Sequence, residues 1–462
     1  MAAIVTERHG RGTAGGTRVH DRPLPVLHAI IVTVSATAPN ASVAPPRRRA
    51  LGALRHRNCR LFFGGQLVSM LGTWTQSIAL TWLVLQLTGS ALLLGIALAA
   101  QSLPMLAAGA VGGLVADRFP KRRILQVTQA LSIGPALVLL ALSWRHAATY
   151  PEVLGAALAW GAIQMVDVPT RQAFAIEMVG REDLSNAIAL NSMIWNAAAA
   201  TGPALAGALI ALGGLPLCFL LNAISYVAVI GSLATMSNLP SLLPARGRRR
   251  LLEGVADGFR YVRRDPLVLG LVLAVASFAL FALNRLALLP LVSGRVLGTG
   301  ALGFGLLMAA QGLGALSGAL TQGSAPGRAS GRRQFWLGCA WAALLLAFTA
   351  SRWLAVSMLL LFLAGLAQVW FLASANARIQ RATPERLRGR VMAFYTQAVM
   401  GLAPLGAFLA GATASLLGPM GAMAAGVGVA AAVLLGVRVL SPNAFTLETT
   451  EYGDLLTETG RA

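Results

Sequence analysis

Charge is scarce in this chain. Asp, Glu, Lys and Arg together make up 11% of 462 residues, while hydrophobic residues make up 56%. A soluble globular domain carries about 25% charged residues, so this composition excludes one and predicts a polytopic membrane protein. Acids are scarcer than bases, 16 against 37, giving a formal net charge of +21. Cysteine is scarcer still. Cys59, Cys218 and Cys339 sit in or beside apolar runs with no CxxC spacing, which argues for small apolar side chains rather than a disulfide framework or a zinc site. The sequence also has no GxxxxGK[ST] loop to cradle ATP and no nucleophile–base constellation. An enzyme and an ATP-driven pump are thereby excluded. No cofactor and no metal are expected.

What the chain does have is long uncharged runs cut by short basic segments. From Leu61 to Gly112 there is no Asp, Glu, Lys or Arg, and a Thr88-Gly89-Ser90 turn divides the run. A spanning helix needs about 20 mainly apolar residues, so this run supplies two. Then comes GGLVADRFPKRRIL over 112–125, with Asp117, Arg118, Lys121, Arg122 and Arg123 crowded together. It reads as a short basic hairpin loop, and basic loops stay cytoplasmic.

Continuing in this way predicts twelve spans, near 61–86, 91–115, 123–144, 151–170, 186–211, 215–237, 266–291, 299–321, 334–350, 353–376, 390–417 and 419–439. In that topology Arg145, Arg295 and Arg352 fall in external loops and Arg285 inside a helix, leaving 33 of the 37 bases on the cytoplasmic side. The positive charge is therefore a topological bias, and a nucleic-acid partner is not expected. The lipid bilayer and a small-molecule substrate are the expected partners, with the chain acting as a monomer.

The expected organisation has five parts. Residues 1–57 form an Arg-, Pro- and Ala-rich cytoplasmic tail, too polar to fold; its apolar patch Val26–Val34 is too short to span and lacks a clear cleavage pattern. Residues 58–237 form one six-helix bundle and 266–440 a second. Between them, 238–265 carries Leu251, Leu252, Val255, Phe259 and Val262 at helical spacing among charges, which predicts an amphipathic helix on the inner membrane surface. Residues 441–462 are a solvated acidic tail.

The two bundles look like repeats. Gly95 and Ala99-Ala100-Gln101 recur as Gly305 and Ala309-Ala310-Gln311, both 210 residues later, and Arg122-Arg123 meets Arg332-Arg333 at the same offset. At that offset Asp117 meets Gly327, so the second loop has lost its acid. Two related halves around an odd central loop are the signature of a secondary transporter.

The loop GGLVADRFPKRR resembles the signature between the second and third helices of the major facilitator superfamily. Gly72-Thr73-Trp74-Thr75-Gln76, Trp82-Leu83-Val84 and Leu87-Thr88-Gly89-Ser90 resemble the first helix of its bacterial enterobactin-exporter-like and macrolide-efflux-like branch. Asp167-Val168-Pro169-Thr170-Arg171-Gln172-Ala173-Phe174, Asn186 to Ser192, Gly202-Pro203-Ala204-Leu205-Ala206-Gly207 and Arg388-Gly389-Arg390-Val391-Met392 extend the likeness over roughly 55–440. The resemblance implies an all-α membrane protein of twelve helices in two pseudo-symmetric six-helix bundles. The chain departs from the pattern at Ala199, where relatives often carry Arg, so a relative's substrate does not transfer directly.

Three sets of candidate residues follow. Gly113, Asp117, Arg118, Arg122 and Arg123 form a conformational-switch loop. An acid at a helix C-terminus is unfavourable on dipole grounds unless it meets another helix start, and the resemblance implies the eleventh helix, which opens with Arg388 and Arg390. A purely topogenic charge cluster is the competing account. Gly202, Pro203 and Gly207 form a helix-packing motif that resembles one found in antiporters, though close packing alone explains it equally well.

The third set is polar groups at membrane depth, which are expensive and often functional. Gln66 and Thr73, with Trp74 and Gln76, lie in the first helix; Gln164 in the fourth, Asn284 and Arg285 in the seventh, Gln368 and Trp370 in the tenth. The superfamily implies that these four helices line a central cavity, while an interhelical hydrogen bond is the alternative for each amide. Arg285 can instead snorkel to the outer interface. Of the acids only Asp167 falls inside the membrane, so it is the candidate for proton coupling, which the family implies.

The expectation is therefore a bacterial inner-membrane secondary transporter with both termini cytoplasmic. It exports a small organic solute, a drug or siderophore-like molecule, by proton antiport. Uptake of a metabolite on the same fold and a non-transporting membrane sensor are the alternatives.

Overall fold

The computed structural model describes residues 57–179, 184–237, 251–283, 287–322, 330–442 and 445, and among them there is no strand. The helices run α1 (Arg57–Thr88), α2 (Ala91–Arg118), α3 (Lys121–Trp144), α4 (Tyr150–Val179), α5 (Leu184–Gly213) and α6 (Leu215–Ala234). After them come α7 (Leu251–Arg264), α8 (Pro266–Phe281), α9 (Leu289–Leu291), α10 (Gly300–Gln322), α11 (Gly331–Ala350), α12 (Leu354–Ala382), α13 (Glu385–Thr396) and α14 (Ala403–Leu440).

Seven of the described helices are each long and apolar enough to cross a membrane, and an eighth, 54-residue segment over Leu387–Leu440 is long enough for two crossings. That segment turns at Gly418, where φ is +71° and the next residue is Pro419. Only glycine enters that conformation without strain. Together with α2, α8–α9 and α11, the described residues make twelve crossings in two related halves.

Breaks in the helices are where the sequence pattern misled. The predicted span 266–291 ends as regular helix at Phe281 and resumes as α9 and a π-helical turn over Val292–Val296. The predicted span 390–417 starts earlier, at Glu385, and carries a second π-turn over Gln397–Gly401 before Pro404 restarts the helix. The basic loop is also tighter than expected. Helix α2 continues through Arg118 and α3 begins at Lys121, leaving Phe119 and Pro120 as the turn.

Alternation of the crossings sorts the molecule into two ends. One holds the α2–α3 turn, α7 and the starts of α1 and α13, and is rich in arginine. The other holds Gly89, Gly214, Gly298 and Trp353. At the basic end two arginines have structural work: Arg57 and Arg122 donate to the carbonyls of Thr235 and Ala234, at 3.1 and 2.9 Å. They satisfy carbonyls at the end of α6 that no helical N–H reaches. Helix α7 turns through 104° into α8, and Gly258 lies against the backbone of Arg390.

Within the first half, α2 packs on α4, α3 on α4 and α6, and α1 on α5 and α6; in the second, α10 and α11 pack on α12, and α14 on α8 and α11. The halves join through two crossings, α2 with α14 and α5 with α10. Both crossings are built on glycine. A Cβ on Gly95 would lie 2.6 Å from the carbonyl oxygen of Ala407 and 3.1 Å from the Cα of Gly411; one on Gly305 would lie 2.6 Å from that of Pro203 and 3.0 Å from the Cα of Gly207. Gly95 and Gly305 are the repeat-related pair, 210 apart, and Gly207 and Gly411 are 204 apart. The same relation recurs inside each half, where Gly161 packs on the backbone of Gln101 and Gly365 on that of Gln311. The pseudo-two-fold is thus written in backbone contacts that only small residues permit.

Candidate functional site

The most polar buried cluster links α1, α3, α4 and α5. Asp167, 1% exposed, lies in α4, where a bare carboxylate would cost several kcal/mol of desolvation. It is instead fully partnered. Arg171, one turn on, donates Nε and Nη2 to Oδ2 at 3.0 and 2.7 Å. Thr128 and Gln129 of α3 donate to Oδ1 at 2.6 and 2.8 Å. Arg171 then extends the chain, donating Nη1 to Oε1 of Gln66 at 2.9 Å, and the amide of Gln66 reaches Oδ1 of Asn191 at 3.4 Å. One ion pair therefore ties four helices together.

The i,i+4 spacing of Asp167 and Arg171 brings them onto one helix face, and Pro169 between them frees backbone in the same turn. Sequence reasoning singled out Asp167 and Gln66 but not Arg171, although its spacing was the available signal. Thr128, Gln129 and Asn191 carried no such signal.

Along the same wall α1 and α5 bring Trp74 and Trp195 edge to face, 6.0 Å between centroids. Gly202 makes this possible, since its Cα side meets the Cβ of Trp74. Trp195 stands two helical turns from Gly202 on that stripe and is 51% exposed. It was not anticipated from the sequence. Ala199, one turn beyond Trp195, lies at the crossing with α10, where its carbonyl faces Gly312.

The other predicted cavity groups are placed as follows. Thr73 and Gln164 are half-buried. Gln76 is buried and turned toward α6, where its Oε1 accepts from Asn222 at 2.8 Å; Asn222 and Trp160 both donate to the hydroxyl of Tyr226. That is an interhelical bond, the alternative weighed for each amide. In the second half, Gln311 and Gln368 meet at 3.5 Å and Trp370 donates to the carbonyl of Gly318 at 3.1 Å. Asn284 and Arg285 lie outside the described residues. A further buried arginine, Arg378, donates to Gln334 at 2.9 Å.

In the switch loop, Arg118 and Arg123 are exposed and Arg122 is engaged by α6. Gly113 and Asp117 lie within α2, and the side chain of Asp117 is outside the described residues. Arg388 donates to the carbonyl of Gln380 at 3.1 Å and approaches Glu385 at 3.9 Å.

At the end opposite the bases the two halves touch, among the described residues. Besides the two glycine crossings, Trp82 stacks on Phe304 at 6.3 Å, and Arg295 donates to the carbonyl of Gly89. Among the described residues no three His, Cys, Asp or Glu side chains are placed to hold a metal ion.

This architecture has counterparts. The profile of the transmembrane secretion effectors, a major facilitator family, matches residues 49–454. The chain belongs to that family. Among curated relatives, this secretion-effector chain is 26% identical to the enterobactin exporter EntS of Shigella boydii serotype 4 over 403 residues, 83% of this chain and 91% of that one. It is 27% identical to the staphyloferrin A transporter of Staphylococcus aureus over 241 residues, 51% of this chain and 59% of that protein. Among solved structures, the nucleoside transporter NupG superposes with a TM-score of 0.64 at 12% identity, covering 84% of this chain and all of NupG. A bacterial homologue of the human lysosomal transporter Spinster gives 0.63 at 13%, covering 87% and 100%. At these identities the structures carry the fold alone. The protein is a multi-pass membrane transporter of the major facilitator fold, not an enzyme.

Proposed function

We propose that this transporter is an exporter of the bacterial inner membrane, moving a small organic solute out of the cytoplasm by alternating access in exchange for protons. The observation that supports alternating access is the contact of the two halves at one end, among the described residues. The described crossings between the halves run from mid-membrane to the end opposite the bases, with Gly95, Gly411, Gly207 and Gly305 in backbone contact. The positive-inside rule puts the basic end and both termini in the cytoplasm, so the end where the halves touch faces out, and solute enters between them from within. Residues 58–237 and 266–440 are then the two moving units, with α7 in the linker 238–265 lying along the inner surface. The exporter among the relatives supports the direction.

Asp167 is the proton site in this reading, and Arg171 senses its charge. Protonation removes the counter-ion of Arg171, weakening the hold of α3 on α4 and leaving the guanidinium to Gln66, which itself bonds Asn191. Trp74 and Trp195 form the adjoining wall of the substrate cavity, with Thr73 and Gln164 on neighbouring faces and Asn284, Arg285, Gln368 and Trp370 supplied by the other half. Asp117 latches against the start of α13 in the outward-facing state. The competing reading is uptake of a metabolite.

The test is efflux from vesicles preloaded with a labelled solute, with an imposed pH gradient of either sign. Export by antiport predicts efflux that accelerates when the exterior is acidic. Efflux indifferent to the gradient removes the proton from the mechanism, and concentrative influx instead supports uptake.

A further inference from the structure

A groove opens to the side of the bundle at its basic end, where the α2–α3 turn overhangs α3 and α4. Its volume is about 510 Å³ and its wall is almost wholly apolar. Phe119, Val127 and Leu131 are each more than half exposed along it, and Ile163 closes the far side. From Arg123 to Leu131 the groove follows α3 for about 12 Å at 1.5 Å per residue. Its mouth differs in character. Arg123 lines it, exposed, and Arg118 is exposed at the end of α2. With Lys121 and Arg122, the turn carries four bases against the one acid, Asp117.

A slot that is greasy along its length and cationic at the membrane surface matches a molecule with an acyl tail and an anionic head. Basic pockets between transmembrane helices on the cytoplasmic side bind such headgroups. We infer that this groove is a binding site for one anionic phospholipid of the surrounding bilayer, its phosphate on Arg123 and one acyl chain along α3.

The site has a route to the transport machinery. Thr128 forms part of the groove wall, and its hydroxyl is the one that donates to Asp167 at 2.6 Å. An acyl chain in the groove keeps water from the outer side of this bond and holds α3 against α4. The bound lipid therefore stabilises the arrangement in which Asp167 is fully partnered. Anionic lipid content is thereby coupled to the same carboxylate from outside the bundle, with no contact to the cavity.

The test is photo-crosslinking of the purified full chain in phosphatidylcholine nanodiscs. Phosphatidylglycerol carrying a diazirine on its acyl chain is compared with the matching phosphatidylcholine probe. The expected label falls within residues 119–131 and 162–166, with phosphatidylglycerol favoured about five-fold per arginine engaged. Arg123→Gln should bring the two probes level while Arg123→Lys keeps the preference. Ile163→Trp, which fills the groove, should remove the label; Val127→Trp does the same from the exposed side should the first variant fail to fold. Label spread evenly over the basic end, equal labelling by both probes in the wild type, or an unchanged ratio in Arg123→Gln would each overturn the assignment.

Discussion

Asp167 accepts from Arg171 at 2.7 Å, one helical turn away, and the same guanidinium reaches across to Gln66 at 2.9 Å. Helices α1 and α4 are thus joined through one guanidinium, and Gln66 carries the chain on to Asn191 of α5 at 3.4 Å. Removing one partner of such a pair leaves the other charge buried, at about 3–5 kcal/mol. Arg171→Ala should therefore lower the unfolding temperature of the purified protein markedly. The double variant Asp167→Asn/Arg171→Gln should recover most of that loss while remaining unable to couple transport to a pH gradient. A double variant that is stable and still gradient-driven would take the pair out of the coupling mechanism.

The glycine crossings predict a second outcome. A side chain on Gly95 or Gly305 must drive α2 from α14, or α10 from α5, because backbone rather than a flexible side chain stands in its way. Gly95→Leu and Gly305→Leu should each open the end opposite the bases. A cysteine placed at Trp82 in a background lacking Cys59, Cys218 and Cys339 should then become accessible to an impermeant thiol reagent from that side. Unchanged accessibility in both would mean that the crossings do not form the gate.

Gln76 offers a third. Its bond to Asn222 holds α1 to α6, and such bonds within membranes are worth about 0.6 kcal/mol on average and up to about 1.7. Asn222→Leu should cost stability in that range while transport per folded molecule is retained. Loss of transport at unchanged unfolding temperature would return Gln76 to the substrate path.

Trp195 gives a fourth. If it is cavity wall, Trp195→Ala lowers transport of a solute with an aromatic ring more than that of an aliphatic one, since stacking of this kind contributes about 0.5–1.5 kcal/mol, a two- to ten-fold effect. Equal loss for both would make it a packing residue.

Most of the fold was legible because a bilayer demands long uncharged helices, and their ends are marked by Gly89, Gly214, Gly418 and the arginines. The breaks near residues 282–296 and 397–401 were not legible, since hydropathy averages over a window and does not register a local change of helical period. The repeat was visible in Gly95 and Gly305. Their partners Gly411 and Gly207 were not visible as partners, because the contact is made by backbone across the halves. Gln66 and Gln76 illustrate the limit at the site. They sit on one helix that is buried on most sides, so no polar face distinguishes the amide bound to Arg171 from the one that ties α6. Asp167 stood out as the one acid deep in a span, but Thr128 and Gln129 are ordinary residues until α3 lies beside α4.

The decisive measurement is accumulation of labelled drugs and siderophores in cells with and without the protein, each with and without a protonophore. The prediction is a compound that accumulates when the protein is missing, and that accumulates equally in expressing cells once the protonophore is added. If deletion instead reduces entry of a compound, or if the protonophore leaves efflux intact, the direction or the coupling assigned to Asp167 is contradicted.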